Sequence, residues 1–224
     1  MQKIRGAMGN VGDNKGFTLV EMALVLIIIG IIIGAVVKGK DLVRGAEQKR
    51  VYSKFLSEWR LAYLNFYDRT GRILGDTWDL NATPAAAPGQ DGEADTAAGT
   101  ASAAPTNDGR DDLNDGEGVA APRWRGLSQV GLEAPVTNVP GVPWRYKYVD
   151  SGGNSHNLEV AFDFSGAYNY MMIDNIPVEL AMAIDTMVDG EADGTTGDFL
   201  NGAGAAWGAT PTTEVDDVRW RMKF

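Results

Sequence analysis

An α+β fold is predicted, with a long N-terminal helix packed through its second half on a C-terminal antiparallel sheet. Three observations predict it. An apolar run from Phe17 to Val37 leads into an amphipathic stripe with helical spacing that reaches Tyr67. A stretch of low apolar content then separates this helix from the rest. Beyond it the pattern changes to two-residue alternation, in Trp144–Val149, Leu158–Phe164 and Val218–Phe224. A helix followed by a run of strands, rather than alternating helices and strands, points to α+β.

The first element is the most strongly patterned. Residues FTLVEMALVLIIIGIIIGAVV, Phe17 to Val37, carry a single charge, Glu21. At about 1.5 Å per residue they cover roughly 31 Å, close to the ~30 Å hydrocarbon core of a bilayer. A secretory signal peptide has an apolar region of about 7–15 residues and a small-residue cleavage site after it. Here the run is longer, and the small-residue signal, Lys15-Gly16-Phe17, comes before it. Glu21 is costly inside a membrane, about 2.5–3.5 kcal/mol at the centre and less near an end, so it reads as a functional group or, alternatively, as a carboxylate that snorkels to the interface. It lies one helical turn beyond Phe17, on the same face. Gly30 and Gly34 form a G-x-x-x-G step, which permits close helix approach or local unwinding, or is simply tolerated inside lipid.

The helix is expected to run on to Thr70. Tyr52, Phe55, Leu56, Trp59, Tyr63, Phe66 and Tyr67 recur at steps of three, four or one, and Gly71 stands where a helix stops. From Asn81 to Pro122, eight acidic residues accompany one basic residue, Arg110, and Leu113 and Val119 are the only large aliphatics. Such a stretch buries too little apolar surface to offset its ordering entropy, and reads as a surface insertion or linker. After it, Trp144–Val149 and Leu158–Phe164 flank the turn Ser151–Asn154 as a β-hairpin. A short helix is expected from Pro177, with Val178, Ala181, Met182 and Asp185 facing inward. Val218, Trp220, Met222 and Phe224 share one face of a final strand.

Composition restricts the chemistry. The 224 residues carry a net charge of −10, which disfavours nucleic acid as a partner. Cysteine is absent and His156 is the only histidine, so thiolate zinc, disulfides and multi-histidine sites are unavailable within one chain. For a membrane-anchored enzyme the candidate acids would be Asp163, Asp174 and Glu179, and nothing in their spacing fixes a working pair. Solvated carboxylates are the better reading, and no catalytic residue is assigned.

One loop concentrates hard oxygen ligands around glycines: Asp185, Asp189, Glu191, Asp193 and Asp198, within DTMVDGEADGTTGD. Calcium takes 6–8 oxygens and needs a chain that turns tightly. Asp185, Asp189, Asp193 and Asp198 are therefore candidate calcium ligands, although the second helix and closing glutamate of a helix-loop-helix site are missing; the alternative reading is a solvated acidic turn.

The segment KGFTLVEMALVLIIIG, Lys15 to Gly30, resembles the prepilin signal of bacterial type IV pilins and type II secretion pseudopilins. The resemblance implies that a prepilin peptidase cuts between Gly16 and Phe17 and that Phe17 becomes an N-methylated first residue. It implies that Glu21 neutralises the terminal amine of a neighbouring subunit, and that subunits build a homo-oligomeric helical filament on an inner-membrane assembly platform. IPVELAMAIDTMVDG is similar to a stretch near the C-terminus of many prepilin-like proteins, and some major pseudopilins hold calcium in a nearby loop.

The expected organisation is a removed leader (1–16), a transmembrane and filament-core helix (17–37), its amphipathic continuation (38–75), an acidic insertion (76–122) and a β-rich head (123–224) with its acidic loop (185–198). The precursor is expected in the inner membrane, in contact with lipid, and the product in a periplasmic or extracellular filament. The absent cysteine pair and the acidic loop lean toward a pseudopilin. The alternative role is a minor or tip subunit that binds surfaces. Lys38, Lys40, Arg44, Lys49 and Arg50 follow the span, whereas Lys3, Arg5 and Lys15 precede it. The positive-inside rule on its own would place the C-terminal side in the cytoplasm. The resemblance implies the reverse.

Overall fold

A computed structural model describes residues 16–75, 94, 113 and 126–223. The chain divides into two units, Met1–Val43 and Arg44–Phe224.

The first unit contains the start of helix α1 (Leu19–Val51). Leucine, isoleucine and valine pack this stretch so uniformly that no polar face exists to turn toward water. Every side chain from Gly16 to Val43 is exposed, Leu19 to 90%. Helix α1 opens the only helical run among the described residues that is long and apolar enough to cross a bilayer, Leu19–Thr70. An apolar helix exposed all round requires lipid or other helices around it.

The second unit has a folded core. Its helical part comprises the end of α1, a π-helical turn (Tyr52–Leu56) and α2 (Ser57–Thr70). The wide turn lets the consecutive residues Phe55 and Leu56 both be fully buried, and Val51 and Trp59 are buried beside them. The sequence spacing predicted an unbroken α-helix. The helix is continuous but widened here. Gly71 ends it in the left-handed region (φ 68°), its N–H donating to the Tyr67 carbonyl at 2.7 Å. Tyr63 and Phe66 of the stripe are buried, whereas Tyr67 is 37% exposed.

The sheet is antiparallel, with strands β1 (Arg145–Val149), β2 (Ser155–Phe164), β3 (Asn169–Asp174), β5 (Phe199–Asn201) and β7 (Val218–Arg221) in the order β1-β2-β3-β7-β5. Tyr146 and Tyr148 point inward and Arg145, Lys147 and Val149 outward, as the alternation predicts. Val218, Trp220 and Met222 are buried, while Phe224 lies outside the described residues. Strand β3 was not foreseen. The helix rests on the sheet through aromatic contacts: Phe55 on Tyr146, Trp59 and Tyr63 on Phe162, and Tyr52 stacked on Trp220. Trp59 donates Nε1–H to the Pro143 carbonyl at 3.2 Å.

A short pair, β4 (Ile176–Pro177) with β6 (Glu214–Val215), leads into helix α3 (Val178–Val188). Pro177 occupies its N-cap position, so the helix begins one residue later than expected. Val178, Leu180, Ala181, Ile184 and Asp185 are buried, whereas Met182, expected inside, is 38% exposed. The first two amides of α3 donate to the carbonyls of Thr213 and Pro211.

The acidic insertion is not wholly peripheral. Ala94 and Leu113 are 1% and 0% exposed and belong to the core. The Leu127 N–H donates to the Leu113 carbonyl at 3.1 Å, and the Ala94 N–H to Asn169 Oδ1 at 2.7 Å. Two positions of a segment expected to hold almost no core residues thus belong to the core. Its remaining residues, 76–93, 95–112 and 114–122, lie outside the described residues, as does the leader up to Lys15.

Candidate functional site

The chemistry-bearing residues fall at two places, one in each unit. At the N-terminal place, Gly16, Phe17 and Thr18 are exposed and precede the helix, with Phe17 81% exposed. The Gly16–Phe17 peptide bond is thus in non-helical, accessible backbone, the form a peptidase needs. Thr18 and Glu21 form a capping box. The Thr18 N–H and Oγ1–H donate to Glu21 Oε2 at 2.8 and 2.9 Å, and the Glu21 N–H donates back to Thr18 Oγ1 at 3.2 Å. The T-L-V-E spacing carries this capping signal in the sequence, beside the membrane charge and the prepilin-like register that Glu21 also presents there. Gly30 and Gly34 have open space where a Cβ would stand, so no described residue uses the close approach they allow.

At the second place, the acidic loop folds around its own carboxylates. Asp189 accepts the N–H groups of Asp198 and Phe199 at 3.0 and 2.8 Å. Gly197 makes this possible: a Cβ there would collide with the Asp189 carboxyl, and its φ is +92°. Asp193 accepts both the N–H and Oγ1–H of Thr196 and the N–H of Thr195, which hold its carboxyl down at about 2. Asp198 is paired with Lys223 Nζ. Asp185 is fully buried on α3 and accepts Trp207 Nε1–H at 2.7 Å and the Gly194 N–H at 3.0 Å through Oδ2. Its Oδ1 is buried and has no hydrogen-bond partner among the described residues. Burial raises its pKa. The bonds from Trp207 and Gly194 oppose this, and the charges of Asp189 and Asp193 add to it. As they stand, no three acidic or histidine groups among the described residues are gathered where they could hold one metal ion. The four predicted calcium ligands lie within 14 residues of one another, but their oxygens are spread over separate partners: backbone amides, the Trp207 indole, the Thr196 hydroxyl and the Lys223 amine.

The carboxylates considered for catalysis serve as structural acceptors. Asp163 accepts Tyr170 O–H at 3.0 Å, Asp174 accepts the Asp217 N–H at 2.8 Å, and Glu179 accepts Tyr148 O–H and the Ser151 N–H. His156 is buried between two carboxylates, with Nε2 2.9 Å from Asp150 and Nδ1 2.7 Å from Glu214. Both ring nitrogens are thus occupied, and the ligating atoms lie on opposite sides of the ring. A surface groove of about 680 Å³ runs beside the helix, lined by Arg50, Lys54, Leu61, Leu132, Val136 and Tyr146 among others.

The family model of the prokaryotic N-terminal methylation motif matches residues 12–37. No curated protein and no solved structure matches the chain. The match ends at the same residue as the predicted span and includes the capping box. It points to a structural subunit rather than an enzyme. An apolar helix after this signal fits a membrane-anchored precursor that is processed and assembled. The chain therefore carries, at residues 12–37, the prepilin-type cleavage and methylation signal of type IV pilins and pseudopilins.

Proposed function

We propose that the chain is a structural subunit of a type IV pilus-like or type II secretion pseudopilus filament. A prepilin peptidase cuts it at Gly16–Phe17 and methylates Phe17, and the subunit then assembles through its N-terminal helix. The observation that carries this reading is the pairing of a methylation signal with an apolar helix whose residues, up to Val43, are all exposed among the described residues. Lipid surrounds that helix in the inner-membrane precursor, and the helices of other copies surround it in a periplasmic or extracellular filament. Gly30 and Gly34 permit the close approach this packing needs. Glu21 has two duties in this scheme: it caps its own helix through Thr18, and it neutralises a neighbour's terminal amine.

Mass spectrometry of assembled material is expected to find N-methylated Phe17 at the terminus. An intact Met1 there would overturn the reading. The variant Glu21→Gln is expected to insert and be cut yet assemble poorly. Thr18→Val removes the hydroxyl of the capping box and leaves the charge, so it separates the two duties. Assembly by Glu21→Gln at the normal yield would leave Glu21 with capping alone.

The proposal extends to calcium at the 185–198 loop. It is supported by the buried, unpartnered Oδ1 of Asp185 and by the like charges of Asp189 and Asp193 near it. A divalent ion relieves such crowding. Calcium at about 100 times its Kd adds roughly 2.7 kcal/mol, a rise of several degrees in Tm. Equal melting of the full chain in millimolar calcium and in chelator would leave the loop closed by its own hydrogen bonds.

A further inference from the structure

A sheet edge normally offers a row of unpaired N–H and C=O groups, which makes it a template for a strand from another chain. The five-stranded sheet has two edges, β1 and β5. Both are occupied by groups from outside the sheet. On β1 the outward-facing residues are Arg145, Lys147 and Val149, because Tyr146 and Tyr148 alternate with them in facing β2. The Asn138 side-chain amide meets Lys147 like a one-residue strand: Oδ1 accepts the Lys147 N–H and Nδ2 donates to the Lys147 carbonyl, both at 2.7 Å. The Arg145 N–H is taken by the Val142 carbonyl at 3.1 Å. Asn138 is held in place by its neighbour Thr137, whose Oγ1–H donates to the Val139 carbonyl at 2.9 Å and whose Oγ1 accepts the Val139 N–H at 3.1 Å.

The other edge is closed by different chemistry. On β5 the N–H groups facing away from β7 belong to Phe199 and Asn201. The Asp189 carboxylate accepts the first at 2.8 Å, and the Gly194 carbonyl accepts the second at 2.8 Å. The Asn201 carbonyl is taken by the Gly204 N–H at 2.8 Å. Among the described residues, no group from outside the sheet takes the Val149 N–H or the carbonyls of Arg145 and Phe199. These groups are scattered along both edges and form no continuous row on which a strand could seat.

We infer that Asn138 and Asp189 act as edge plugs, which close the sheet of the second unit against strand addition by another copy of this chain. Closure matters most where many copies lie side by side, since sheet-to-sheet pairing would lock them out of any ordered array. The inference stands on the sheet alone and holds whether or not the chain forms filaments.

Amide hydrogen exchange of the full chain in detergent micelles tests it without any substitution. The Lys147 and Phe199 amides are expected to exchange at least about tenfold more slowly than Val149, as befits hydrogen-bonded against open groups. Equally fast exchange at all three overturns the proposal. A labelled synthetic peptide of residues 155–162, the strand that pairs with β1 in the native sheet, supplies the second readout. Asn138→Ala is expected to lose the protection at Lys147 and to bind the peptide, while the unaltered chain does not; a peptide of the same composition in scrambled order binds neither. Unchanged exchange at Lys147 in folded Asn138→Ala, or peptide binding as strong to the unaltered chain, also overturns it.

Discussion

The substitution Leu113→Ala probes the least expected part of the core. Leu113 lies in a stretch whose composition forecasts a solvated linker, yet its side chain is 0% exposed and its carbonyl accepts the Leu127 N–H at 3.1 Å. Truncating a fully buried leucine loses the transfer energy of the removed methyl groups and leaves a cavity, together about 2.7–5 kcal/mol. The second unit runs from Arg44 to Phe224, and at that size each kcal/mol moves Tm by roughly 2–4 °C. A fall of about 5–20 °C is therefore expected. Tryptophan fluorescence melting of the full chain in micelles measures it, because Trp59 and Trp220 lie in the same core. Val136→Ala, at a residue 88% exposed, is the control and is expected to cost less than about 0.5 kcal/mol. A Leu113→Ala melting point within about 1 °C of the unaltered chain would refute the reading. Deleting residues 85–121 removes Ala94 as well, and is expected to cost at least as much as Leu113→Ala.

Other expectations concern buried titratable groups and one glycine. Burial disfavours the charged form of His156, but its bonds to Asp150 and Glu214 outweigh this and raise its pKa above the ordinary 6.5. Its stabilisation is then complete below about pH 6.5 and is lost as pH rises through the raised value. His156→Gln is expected to flatten the fall of Tm on the alkaline side, and an unchanged slope would count against the clasp. Asp185 is also raised, chiefly by burial, so its stabilisation is present below the ordinary 3.8 and is lost as pH rises through the folded value. Asp185→Asn keeps an acceptor for Trp207 and is expected to weaken the pH dependence of Tm above the ordinary 3.8; equal dependence in both proteins would contradict this. Gly197→Ala forces a Cβ onto the Asp189 carboxyl at positive φ, and is expected to cost about 2–4 kcal/mol in urea unfolding. A loss below about 0.5 kcal/mol would show that the loop has room.

The N-terminal half was legible because its determinants are local. A continuous apolar run, helical spacing of aromatics and a glycine stop all act within a few residues of one another. The methylation motif reads the same local pattern over residues 12–37. The β1–β2 hairpin and the last strand were legible for a similar reason, since alternation between Tyr146, Tyr148, Leu158, Val160 and Phe162 records which face is buried.

What escaped the sequence depends on contacts between distant positions. Strand β3 has two buried residues side by side, Tyr170 and Met171, and lies between β2 and β7, so it lacks clean alternation. Asn138 and Lys147, Asp189 and Phe199, and His156 and Glu214 meet only once the sheet and its loops are assembled. The acidic loop is the clearest case. Its spacing of Asp185, Asp189, Asp193 and Asp198 reads as a ligand set, but whether an oxygen faces an ion or a backbone amide is decided by where the chain turns. Gly197 lets Asp189 swing onto the edge of β5, and Trp207 draws Asp185 inward. Sequence alone determined which residues are apolar, which carry charge and where a helix starts and stops, because those follow from each residue and its near neighbours. Only the tertiary structure decided which polar groups are spent on one another, since a hydrogen bond needs its partner within about 3 Å, and the fold supplies that distance.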